Sequence, residues 1–170
     1  MKRTMMALAL LASAGLAPLS AQQQVDSIAP ERKLEGPRVG VTFITGTEAS
    51  KQLQDNHLSP VMTLFGWHFE QVTQPDRGGT MFVAQEVLVV AGVEQGTAIP
   101  SASFLVGARF GDGTEFGVGP NLSPLGAALA FGVGRTERAG NVAIPLDFAV
   151  VHSDAGTRLT FLVGIAMRRR

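Results

Sequence analysis

The sequence contains no cysteine, no tyrosine and a single tryptophan, Trp67. Without cysteine there is no disulfide, no thiolate metal site and no lipid anchor on an N-terminal cysteine. Charged residues make up only 16% of the chain, against roughly 25% on average, so disorder over most of its length is disfavoured. The formal net charge is zero. It supplies no basic field for nucleic acid, and no RNA-binding or zinc-finger signature is present, so no nucleic-acid partner is expected. Beyond Ala21 no stretch reaches the roughly 18 apolar residues of a spanning helix, which argues against a helical membrane protein.

What the chain does have is glycine, 20 of 170 residues, well above the usual ~7%. These glycines fall inside periodic segments. In residues 125–134, Leu125, Ala127, Leu129, Phe131 and Val133 alternate with Gly126, Ala128, Ala130, Gly132 and Gly134. Residues 114–122 repeat the pattern, with Phe116, Val118, Pro120 and Leu122 set against Gly117, Gly119 and Asn121. Period two is the signature of a strand whose faces meet different surroundings. A face of Gly and Ala suits the inside of a narrow closed barrel. Apolar-out with small or polar-in inverts the pattern of a soluble sandwich and fits a barrel in lipid.

Read in order, residues 1–21 have the form of a cleavable signal peptide: Lys2 and Arg3, an apolar run, Pro18, and a small residue, Ala21, at the cleavage site. Residues 22–37 read as a polar lead-in, extended or mobile, and 38–170 as the barrel domain. Strands are predicted over 38–46, 61–73, 80–93, 101–110, 114–122, 125–134, 142–151 and 158–167. After the first strand, Thr45 and Glu48 have the spacing of a capping box. That predicts a short surface helix over 49–56, with Leu53 its only large apolar residue. Gly111-Asp112-Gly113 predicts a tight hairpin turn, and residues 135–141 a polar loop. Pro145 predicts an edge, a bulge or a kink in the seventh strand. The fold class expected is all-β: an eight-stranded antiparallel up-and-down barrel with one short helix after strand one, too narrow for a water-filled pore.

With the leader, the strand pair 104–109 and 116–122 and the last apolar strand in view, the pattern over 38–167 resembles the small outer-membrane β-barrel proteins of diderm bacteria. It departs in two respects: many such barrels end in an aromatic residue, whereas this chain ends Met167-Arg168-Arg169-Arg170, and aromatic girdles normally use Tyr and Trp, so Phe must serve here. The resemblance implies residence in the outer membrane among its lipids, with a structural or surface-interaction role. The alternative is a soluble periplasmic or secreted barrel holding an apolar small molecule.

Alternation places His68, Glu70, Glu86, Arg109 and Asp147 on the inward face. Charges inside a closed barrel are costly unless paired, so this set reads as an internal salt-bridge network, ahead of a proton-handling or ligand-binding cluster. His152-Ser153, with Asp154 after it, raises a lipid A-modifying hydrolase as a third reading. Adjacent strand residues point opposite ways, however, and an ordinary turn explains them better. His57, His68 and His152 lie on different elements without the spacing of a metal site. No cofactor, metal or catalytic residue is assigned.

Overall fold

The computed structural model describes residues 34–73, 79–139 and 142–167. The leader at 1–21 and the lead-in as far as residue 33 lie outside them. Each alternating run forms a strand: β1 Gly36–Thr45, β2 Val61–Val72, β3 Met81–Ala91, β4 Ile99–Arg109, β5 Thr114–Ser123, β6 Gly126–Ala139, β7 Val142–Ser153 and β8 Gly156–Gly164, with a two-residue β9, Ala166–Met167. A helix, α1 (Thr47–Asp55), follows β1, and a 3-10 turn, Val93–Gln95, joins β3 to β4. Every strand from β1 to β8 pairs antiparallel with its sequence neighbours, and β1 also pairs with β8 from Arg38↔Gly164 to Thr45↔Thr157. The result is a closed eight-stranded antiparallel barrel with one short helix after the first strand.

Pro145 shows how the ring tolerates a residue with no N–H. On one side it stays in register with Thr136 of β6. On the other side the ladder to β8 stops at Leu146↔Val163 and resumes at Ala143↔Ala166. The gap lies opposite Pro145 in unchanged register, so β8 and β9 are one strand interrupted where the donor is missing. On its other side the strand keeps to β1, where the Ile165 N–H donates to the carbonyl of Pro37 at 3.4 Å.

The two faces are sharply different. All ten phenylalanines and Trp67 stand on the outer surface, from 41% exposed for Phe69 to 70% for Phe82. The inner face is narrow, and glycine makes its room. Gly107, Gly117 and Gly132 lie in one row across β4, β5 and β6. The Leu105 side chain covers the last two, where an added Cβ would sit 3.2 and 3.5 Å from it.

Three expectations are corrected. Residues 135–139 are not a loop, because β6 runs on to Ala139 and pairs with Val142–Leu146 of β7. There Arg135 and Glu137 share the outer side in an exposed ion pair at 2.7 Å, and Thr136 is buried inside. The polar composition therefore marks a strand rising past the apolar belt. Second, the capping box does not form: the helix begins at Thr47 behind Gly46, which no side chain caps. Thr45 donates its hydroxyl to the Thr157 carbonyl at 3.0 Å, and Glu48 accepts from Lys51 at 3.1 Å. Third, the helix builds a core. Ala49 and Leu53 are buried against Ile44, Met62, Leu64, Ala91 and Leu162, so α1 closes one end of the barrel. The lead-in also contributes, since Leu34 is buried against Ala143 and Ala166 at the opposite end, and β1 starts at Gly36.

The turns are held by side chains. Asp112 accepts the Thr114 N–H at 2.9 Å and its hydroxyl at 3.1 Å, which lowers the Asp112 pKa, and Gly113 takes φ 88°. In the β3–β4 turn, Glu94 accepts the hydroxyl of Thr63 and its N–H, the latter at 2.9 Å. These bonds lower its pKa from 4.5 to about 2. A depressed carboxylate pKa stabilises the fold above the unfolded value and is lost as pH falls through the folded one. The Thr63 amide resonance is therefore expected to titrate with a midpoint near pH 2, and Glu94→Ala to abolish that titration. A midpoint at the ordinary value of 4.5 contradicts the contact.

Candidate functional site

Inward positions on β1, β2, β4, β5 and β7 carry charge, and the barrel brings them together. Arg109 faces Glu115 across the β4–β5 ladder and Glu70 from β2. It donates from Nε to Glu115 Oε2 at 2.7 Å and from Nη1 to Glu70 Oε1 at 2.6 Å, and Nη2 reaches both carboxylates. All three side chains are buried. A planar guanidinium suits this two-sided grip because its donors form a rigid fork.

Arg38 anchors the second half. Its Nε donates to Asp147 Oδ2 at 3.3 Å, and its other nitrogens donate to the carbonyls of Leu34, Gly36 and Pro37. Its Nη2 also lies 2.6 Å from His68 Nδ1. Arginine only donates, so Nδ1 must accept, which leaves the imidazole proton on Nε2. Among the described residues that buried Nε2 has no hydrogen-bond partner. Leu34 bridges the halves: its carbonyl accepts from Arg38 and its N–H donates to Glu70 Oε1 at 3.3 Å. Glycine again makes the space. A Cβ on Gly134 would lie 2.5 Å from Asp147 Oδ1, and one on Gly164 would lie 2.6 Å from the Arg38 side chain.

Of the five residues read as inward, His68, Glu70, Arg109 and Asp147 stand in this cluster. Glu86 does not. It is exposed on the outer wall at mid-strand, in register with Phe69 and Phe104. Gln85 takes the inward place, opposite Glu70 and Leu105. Strand β3 is apolar on both faces, so its alternation gave no preferred side for Glu86. Arg38 and Glu115 were missed, although alternation alone places Arg38 with Gly40 and Thr42, and Glu115 with Gly117 and Gly119.

Above the ionic cluster the lumen holds a cavity of about 90 Å3, lined mainly by apolar side chains such as Val87, Leu105, Val151 and Leu162. Arg158 and Asn121 meet across it, and the Asn121 amide donates to Ser101 and Ser103, each at 2.8 Å. His152 and Ser153 belong to β7 itself. His152 Nδ1 lies 2.9 Å from Thr157 Oγ1, and the Ser153 hydroxyl donates to the Gly156 carbonyl at 3.2 Å. The two side chains leave the strand on opposite faces. Among the described residues no three His, Asp or Glu side chains are grouped closely enough to hold a metal ion.

The fold and interior define a closed eight-stranded antiparallel barrel, ion-paired at one end and capped by a helix at the other. No protein-family model and no curated protein matches the sequence.

Removing one partner of a buried ion pair leaves an uncompensated charge, at about 3–5 kcal/mol. Arg109→Met is expected to destabilise the refolded barrel by about that amount in urea unfolding. The triple replacement Arg109→Met, Glu70→Gln, Glu115→Gln should recover most of the loss. Equal destabilisation by the single and triple variants contradicts a mutually neutralising cluster.

Proposed function

We propose that this chain is an outer-membrane β-barrel with a filled interior and a structural or surface-interaction role, in contact with membrane lipid. The observation that carries this reading is the placement of every phenylalanine and the one tryptophan on the outer wall. Phenylalanine is normally among the most buried residues. Leaving eleven aromatic side chains about half exposed to water forgoes on the order of 10 kcal/mol. That is comparable to the whole stability of an ordinary domain. A hydrocarbon solvent removes the conflict.

Dimensions support the same reading. A spanning strand needs roughly 9–11 tilted residues, and β1 to β8 contain between 9 and 14. On β7 the outward series Val142, Ile144, Leu146, Phe148 and Val150 is apolar and gives way to His152 near the strand's end. On β6 the apolar series ends at Val133 and the Arg135–Glu137 pair begins. Outer-membrane barrels keep short turns on the periplasmic side and longer connections outside. The longest connection carries α1, so this reading directs the helix-capped end to the exterior. There Lys51, Gln52, Gln54 and Asp55 form an exposed polar surface for a partner. No catalysis is assigned.

The lumenal cavity favours a second reading, a soluble exported barrel that holds an apolar small molecule; the aromatic outer wall argues against it. Fractionation of the native host separates the two, followed by electrophoresis with and without boiling. Recovery with the outer membrane and a mobility shift on heating is expected. Recovery in the soluble periplasm with no shift contradicts the membrane reading.

A further inference from the structure

Each carboxylate of the ionic cluster has an arginine partner, but the cavity above it leaves two groups unmet. Arg158 lines the cavity, and its side chain makes one hydrogen bond, to the neutral amide oxygen of Asn121. Among the described residues it has no carboxylate partner. A half-buried guanidinium without a counter-charge is costly to hold. At the other end of the same cavity His68 is 3% exposed, and its Nε2–H has no acceptor among the described residues. Between the two polar ends the walls are apolar, built from Val87, Val89, Leu105, Ala130, Val151 and Leu162.

Leu125, in the turn between β5 and β6, also lines the cavity, so the space reaches toward the barrel end that α1 closes on its β1 and β8 side. At about 90 Å3 the space is smaller than the ~150 Å3 apolar cavity that admits benzene. It suits a slim chain better than a ring.

We propose that the lumen binds a short-chain carboxylic acid. The carboxylate pairs with Arg158, the chain lies along the apolar walls, and an acceptor oxygen at the far end takes the His68 Nε2–H. A hydroxy or oxo acid has this chemistry. An anion there supplies the counter-charge that Arg158 lacks, and charge-assisted pairing with a guanidinium is among the stronger hydrogen bonds. The site is inside the barrel and does not depend on whether the outer wall meets lipid or water.

The test is calorimetric titration of the full-length refolded protein, in a zwitterionic detergent, with butanoate and with butanoate bearing a terminal hydroxyl. Saturable binding is expected, tighter for the hydroxylated acid in the wild type and not in His68→Phe. Arg158→Gln should weaken both acids about tenfold, as loss of one charge-assisted contact implies. Ala130→Phe, which fills the cavity, should abolish binding while the heat-dependent mobility of the folded barrel is kept. If Ala130→Phe fails to fold, Arg158→Gln decides alone. Absence of saturable binding, or binding that Arg158→Gln leaves unchanged, overturns the site. Equal wild-type affinity for the two acids overturns the role of His68.

Discussion

Pairing of β1 with β8 is the constraint from which the other features follow. Once the sheet closes there is no edge, and each strand residue has only two destinations, the lumen or the outer wall. Eight strands enclose a narrow lumen, which selects glycine, alanine and a few well-paired polar groups. The phenylalanines and the tryptophan go outside, while aliphatic side chains such as Leu64, Leu105 and Leu162 pack within. Closure even tolerates Pro145, because the missing donor costs one gap in one ladder while the opposite ladder continues.

The lumen divides the work between two kinds of core. At the end where β1 begins, Arg109 and Arg38 hold Glu70, Glu115 and Asp147, and link five of the eight strands across the interior. Buried ion pairs contribute little net stability compared with apolar packing. They do penalise a slipped register, because a one-residue shift would carry each charge to the outer wall. At the other end α1 supplies Ala49 and Leu53 to an apolar cluster. Both ends are therefore packed by contacts between elements distant in sequence.

Strand existence, strand order and most of the facing were legible in the sequence, because period two is a local signal. Phe131 and Gly132 declare opposite sides without any tertiary knowledge. The failures share a cause: the local signal was absent or ambiguous. Strand β3 is apolar on both faces, so the side of Glu86 depended on its register with Phe69 and Phe104. The 135–139 segment looked like a loop because an exposed strand beyond the belt has loop-like composition. The capping box at Thr45 lost to a cross-strand bond with Thr157, which only closure brings near. Arg38 and Glu115 were within reach of the alternation rule. Their partners lie 109 and 6 residues away in the chain, and no spacing rule predicts such pairs.

The central claim is that the outer wall meets hydrocarbon, and Trp67 reports on it directly. It is the only tryptophan, it stands outward on β2 beside Phe69, and it is 46% exposed. Fluorescence of the barrel reconstituted in vesicles with brominated acyl chains should be blue-shifted, strongly quenched by the lipid bromine and insensitive to aqueous iodide. Red-shifted emission that iodide quenches and brominated lipid does not would contradict a lipid-facing wall.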